Sequence, residues 1–302
     1  MRFVSRLTLT IVLAGLGCGG GDSTGPARTP AQVIVFQSRR ATGMPNLFAM
    51  TANGDSVRAV LTGMEDDESP VLSPDASRIA FSSNRDGQWH LYVINVDGTG
   101  LTRVTDDTFP DGQPAWAPGG TRLVFSRSSA TSQGRGLRIV NTDGSGLEVL
   151  TGVPNDAEPA WSPDGSSIAF TRDGDIWVIH PDGSALLRLT DTVLAAGNPA
   201  WSPNSARIAF AGMANGSQDL FVMSADGSGL VNLTQTPTEG EDQPAWSPDG
   251  AYLVFAGARR FDNENIFGNM EIVRRHADGT GEVILTDSPA EDVHPSWGEV
   301  AR

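Results

Sequence analysis

A segment reading Pro-x-Trp-Ser-Pro-Asp-Gly, then an apolar triplet ending in Phe, a second apolar run, Asp-Gly-x-Gly-Leu and finally Leu-Thr, recurs along this 302-residue chain. No other feature limits the fold so strongly, because repetition at a fixed period means one supersecondary unit stacked on copies of itself. The anchoring prolines are Pro70, Pro114, Pro159, Pro199, Pro244 and Pro295, spaced by 44, 45, 40, 45 and 51 residues.

Within one unit, Ala160-Trp161-Ser162, Ile168-Ala169-Phe170, Ile176-Trp177-Val178-Ile179 and Leu187-Arg188-Leu189-Thr190 are short, apolar or aromatic, and divided by turn residues. They predict four strands. Ser162-Pro163-Asp164-Gly165 has Pro second and Gly fourth, as a type I turn prefers, and joins the first strand to the second. Pro181-Asp182-Gly183 does the same between the third and fourth. The period fits a four-stranded propeller blade. Second strands end at Phe36, Phe81, Phe125, Phe170, Phe210 and Phe255, and fourth strands at Thr62, Thr105, Thr151, Thr190, Thr234 and Thr286, so both counts give six. The first-strand motif begins only after the first fourth strand, and its last copy, Pro295-Ser296-Trp297, has no second strand after it. The expectation is an all-β, six-bladed β-propeller of four-stranded antiparallel blades, closed by the C-terminal strand pairing with the N-terminal strands.

These units resemble the WD40-like repeats of the TolB propeller family, also seen in propellers of prolyl-oligopeptidase-type enzymes. The resemblance covers residues 33–300 and implies the fold; propellers host unrelated activities, so it does not carry over the Tol-system role or the peptidase activity.

The N-terminus predicts export. Arg2 and Arg6 flank the start of an apolar stretch, Leu7 to Leu16, too short to span a bilayer. The only cysteine, Cys18, follows at once and precedes a Gly-rich tether. The arrangement resembles a bacterial lipobox, with Gly15 where that pattern prefers Leu, and implies lipidation of Cys18. Gly19 after it points to the outer membrane more than the inner one. The division expected is signal peptide 1–17, lipidated tether 18–32 and propeller 33–302, in the periplasm or at the cell surface.

Chemistry is sparsely signalled. There is no His-Glu-x-x-His, no Cys-x-x-Cys and no phosphate loop, and His90, His180, His276 and His294 are scattered. No catalytic residue, metal site or cofactor is expected. The Asp-Gly-x-Gly turns lack the further carboxylates of a calcium loop. Trp116, Trp161, Trp201, Trp246 and Trp297, with Leu72, read as inter-blade core. The formal charge of −15 argues against nucleic acid.

A sharper pattern lies three residues before each anchoring proline, where Asp67, Asp111, Asp156, Glu241 and Asp292 stand and only Ala196 breaks the run. In the same five units an arginine follows the second-strand Phe by two or four residues: Arg40, Arg85, Arg127, Arg172 and Arg259. The unit without the acid lacks the arginine, which predicts an intra-blade ion pair in the other five. Loops entering first strands and those between second and third strands share one face, and that face varies. It is the expected binding surface of a monomeric, non-catalytic module for an extracytoplasmic protein, peptide or glycan, attached to the membrane only through its lipid. The neutral unit and its acidic neighbour nominate Asn198, Asn215, Glu241 and Asp242 as ligand contacts. The alternative is a metal-dependent polysaccharide lyase or hydrolase acting at the central channel.

Overall fold

The structure, a computed structural model, describes residues 31–128, 135–191, 194–236, 240–260 and 267–300. The expected signal peptide, Cys18 and most of the tether lie outside them. Among the described residues there is no helix.

Six four-stranded antiparallel sheets follow one another along the chain. The first contains β1 (Gln32–Ser38), β2 (Asn46–Thr51) and β3 (Arg58–Leu61). The second is β4 (Asp67–Leu72), β5 (Arg78–Ser83), β6 (His90–Asn95) and β7 (Thr102–Arg103). The third is β8 (Asp111–Trp116), β9 (Arg122–Arg127), β10 (Gly136–Asn141) and β11 (Glu148–Val149). The fourth is β12 (Ala157–Trp161), β13 (Ile168–Arg172), β14 (Asp175–Ile179) and β15 (Leu187–Arg188). The fifth is β16 (Gly197–Trp201), β17 (Arg207–Ala214), β18 (Ser217–Ser224) and β19 (Val231–Asn232). The sixth is β20 (Glu241–Trp246), β21 (Tyr252–Arg260), β22 (Phe267–His276) and β23 (Val283–Ile284). The last strand, β24 (Asp292–Glu299), returns to the first blade, where Ile34 faces Trp297 and Val35 faces Ser296. The chain ends close the ring, as the strand count requires.

The core lies between blades. One cluster joins Val35 and Leu47 of the first blade to Leu72, Ile79 and Phe81 of the second, and another joins Ile34 and Met50 to Val254 and Ile272 of the sixth across Trp297. The second-strand phenylalanines, Phe36, Phe81, Phe125, Phe170, Phe210 and Phe255, are all 0% exposed. Each contributes about 2–3 kcal/mol of apolar burial.

The repeated turn earns its sequence. Asp164 accepts from the Ser162 hydroxyl at 2.6 Å and from Ser166 N at 3.0 Å, and Gly165 N donates to Ser162 O at 2.9 Å. Gly165 then takes φ +78°, which a Cβ would oppose. Fourth strands are shorter than the sequence suggests: β15 stops at Arg188, and Leu189 N and Thr190 N both turn back to Ile176 O. The Thr190 hydroxyl accepts Ile176 N at 2.9 Å, replacing the ladder bond that the strand no longer supplies. Thr105, Thr151, Thr234 and Thr286 do the same for Leu91, Leu137, Leu220 and Ile272, which explains the recurrent Leu-Thr.

Candidate binding site at the channel mouth

First strands stand innermost and line a central channel of about 570 Å³. Each carries a bulge at the residue before its anchoring proline; in β12, for example, the register slips between Ala157 and Ala160. The bulged residues are Ser69, Gln113, Glu158, Asn198, Gln243 and His294, and all have φ between +51° and +56°. Backbone before a proline ordinarily stays extended, so a left-handed residue there is strained in every blade. All six line the channel and form a polar ring.

Hydrogen bonds run around that ring. Gln113 Oε1 accepts Glu158 N at 3.2 Å, Glu158 Oε2 accepts Asn198 N at 2.8 Å, and Gln243 Oε1 accepts His294 N at 2.8 Å. Asn198 Nδ2 donates to Asp242 Oδ1 at 2.8 Å. Burial pushes the Asp242 carboxyl above the usual range, against the donors of Gln243 and Asn198, and also raises Glu68 beside Ser69. Burial lowers His294 to about 4, so its imidazole is neutral at pH 7. At the other end the channel is apolar, lined by the turn prolines Pro74, Pro118, Pro163, Pro203 and Pro248.

Behind the ring, buried acids meet arginines within four blades. Arg85 Nη2 lies 2.5 Å from Asp67, Arg172 Nε 2.5 Å from Asp156 and Arg127 Nε 2.7 Å from Asp111, and Arg40 pairs with Asp292. Each guanidinium also covers the second-strand ring: Arg85 stands 5.6 Å from the centroid of Phe81, and Arg172 5.2 Å from that of Phe170. The two arginine offsets have one cause. In blades with Ser38 or Ser83 two residues after Phe, that hydroxyl accepts Nε of the later Arg40 or Arg85. The Arg259 side chain lies outside the described residues. In the fifth blade Leu194 takes the guanidinium's place: a Cβ on Gly212 would sit 3.3 Å from the Phe221 ring and 3.5 Å from Leu194.

A family model described as TolB beta propeller domain, PD40, matches residues 16–192. The chain belongs to the TolB β-propeller family. TolB from Acinetobacter baumannii superposes with a TM-score of 0.74 at 21% identity, over 88% of this chain and 66% of that one. The chain thus spans about two thirds of that TolB's length. A chain of a nidogen/laminin complex gives 0.68 at 11% identity, over 89% of this chain and 99% of that one. Oligogalacturonate lyase from Vibrio parahaemolyticus gives 0.58 at 13%, over 83% and 73%. At these identities the likeness is one of fold. No curated protein matches the chain.

On this TolB-type propeller the nominated contacts part company. Asn198 and Asp242 meet at the channel mouth, Asn215 is exposed at the apex of the β17–β18 hairpin with φ +53°, and Glu241 is 0% exposed inside its blade. Among the described residues no three His, Cys, Asp or Glu side chains stand close enough to hold a metal ion. The tryptophans lie between blades and also line the channel, Trp116 donating its indole N–H to Val71 O at 3.0 Å and Trp201 to Ala160 O at 3.1 Å. The polar ring escaped sequence reading because its members differ chemically. Its one signal was position, a polar residue before every anchoring proline.

A buried acid on β22, away from the polar ring, carries a pH dependence. Glu271, 5% exposed, accepts from the Thr286 hydroxyl at 2.6 Å and Ser288 N at 3.1 Å, and burial raises it to about 7. The folded chain therefore holds a proton that the unfolded chain releases near pH 4.5. Stability from this group is complete below that pH and is lost by about pH 7, a change of about 3 kcal/mol. Glu271→Gln should flatten this slope in denaturant titrations between pH 5 and 8 and be the more stable form at pH 8. A wild type whose stability does not fall between those pH values would contradict it.

Proposed function

We propose that the chain is a non-catalytic, extracytoplasmic binding module that receives a hydrogen-bonding or cationic segment of a protein, peptide or glycan at the polar mouth of its channel. The observation that carries this reading is the ring of six strained residues before proline, held left-handed by bulges in every blade. Strain repeated at one place on a rigid scaffold marks a functional surface. Raised carboxyls at Asp242 and Glu68 gain most from a partner that brings positive charge or donors, in line with the net charge of −15.

With the partner captured from an envelope extract, Asn198→Lys together with Asn215→Lys should weaken binding about tenfold, ~1.4 kcal/mol, measured at a temperature where the variant is fully folded. Unchanged affinity in calorimetric titration would remove the mouth from the interface. Attachment is proposed to run through lipidated Cys18: Cys18→Ser should shift the protein from the membrane fraction to the soluble one. A wild type that is itself soluble and unlipidated would refute the anchor.

A further inference from the structure

The blade junctions repeat a second arrangement, at the opposite end of the channel. An arginine opening one blade's second strand lies over the indole of the next blade: Arg78 stands 4.8 Å from the Trp116 centroid, Arg207 4.6 Å from Trp246 and Arg122 5.8 Å from Trp161. Before Trp297 that position is Tyr252, whose ring lies 6.2 Å from the indole. Before Trp201 it is Ser167, and among the described residues no guanidinium covers this indole.

Trp116, Trp201 and Trp246 are anchored alike, each indole N–H donating at 3.0 or 3.1 Å to the same carbonyl position of the preceding blade. Trp116 and Trp246, under arginines, are 6% exposed, whereas Trp201 is only half-buried. Trp161, whose guanidinium stands farther off at 5.8 Å and whose indole N–H donates to Gly165 O of its own turn, is half-buried as well; among the three indoles anchored across the junction, only the uncovered Trp201 is open.

We infer that the open face of Trp201 is a guanidinium site, filled by an arginine side chain of a protein partner. Three features suit that group. The indole offers its face; the turn beneath offers a carbonyl, since Arg78 Nη2 donates to Gly120 O at 2.7 Å and the equivalent residue below Trp201 is Ser205. An acidic turn stands beside them: Asp164 N donates to the Ser205 hydroxyl at 3.0 Å, while the Asp164 carboxylate accepts from Ser162 and Ser166 of the same turn. The Ser162 hydroxyl, above all, holds the Asp164 carboxyl below its ordinary range, so it is anionic. The chain itself contains no lysine: all 21 of its basic residues are arginine, so every cation it stacks on a ring is the planar guanidinium. A single stacked guanidinium binds only weakly, so an arginine that fills the site at low concentration arrives on a partner that makes other contacts.

The test uses the full chain, with the indole N–H resonance of Trp201 assigned from Trp201→Phe. Blocked arginine, Nα-acetyl-arginine amide, should move this resonance saturably, while the neutral isostere acetyl-citrulline amide should not. A short peptide with one arginine among neutral residues should bind at least severalfold tighter than the blocked amino acid. Ser167→Arg should raise the melting temperature by a few degrees and abolish the shift. No shift, an equal shift with citrulline, or a shift that survives Ser167→Arg would overturn the site, and equal affinity for peptide and blocked arginine would overturn the protein partner. The arginine–citrulline comparison is made on the wild type, with Trp201→Phe serving only to assign the resonance. This inference stands apart from the mouth at the other end, and either can fail alone.

Discussion

Deleting residues 294–302 should aggregate the protein or lower its melting temperature by about 10–20 °C. The deletion removes the part of β24 that completes the first blade: the pairs Val33–Gly298, Ile34–Trp297 and Val35–Ser296 are lost. Trp297, which also lies against Tyr252 of the sixth blade, goes with them, as does the Ser296 hydroxyl that accepts Leu72 N at 3.0 Å. Losing a buried tryptophan alone costs about 3–5 kcal/mol, and each kcal/mol moves the melting point of a domain of this size by ~2–4 °C. The exposed edge would present Ile34, Val35 and Phe36, all 0% exposed in the closed ring, which is an invitation to pair with another chain. Scanning calorimetry with light scattering checks both outcomes. A truncated protein that melts like the full chain would mean that the closure carries no stability.

The ring closure was readable because it follows from counting strands, and the turns were readable because Pro163, Asp164 and Gly165 each have a local conformational reason to stand where they do. Local chemistry reads well. The fourth strands read less well: Leu189 and Thr190 have strand-like side chains, yet their N–H groups both return to Ile176 O, a choice made by the neighbouring strand. The channel ring was hidden for a similar reason. Gln113 or Asn198 before a proline predicts extended backbone, and only closure of six bladed first strands around one axis turns these residues left-handed and inward. The acid–arginine pattern shows both sides. Joint loss at Ala196 and Gly212 pointed to partnership, but the neutral place it suggested is occupied by Leu194 and the Phe221 ring, residues that a search for charged partners passes over.

That apolar substitute sets up the second large effect, in the third blade. Arg127→Met should cost about 3–5 kcal/mol at pH 8, whereas Arg127→Met combined with Asp111→Ala should cost markedly less than the single change. Arg127, its side chain 4% exposed, holds Asp111 at 2.7 and 2.9 Å through two nitrogens and Asp107 at 2.5 Å through the third. Asp111 is itself 0% exposed at the side chain, so removing the arginine strands a carboxyl that has no water to turn to. Removing both leaves Met between the rings of Phe109 and Phe125, which the guanidinium now covers at 5.3 and 5.6 Å, and reproduces the solution of the fifth blade. Burial already raises the Asp111 carboxyl even with its partner present, so without Arg127 the folded chain would bind a proton that the unfolded chain releases. Stability of the single variant is then present below the carboxylate range and lost as pH rises through the raised value, making its penalty smaller at pH 5 than at pH 8. The double variant has no such acid, so its cost relative to the wild type should not grow between pH 5 and pH 8. A double-mutant cycle in denaturant at both pH values decides the matter: additive costs, or a single variant with the same penalty at pH 5 and pH 8, would show that the pair is screened by solvent and contributes little.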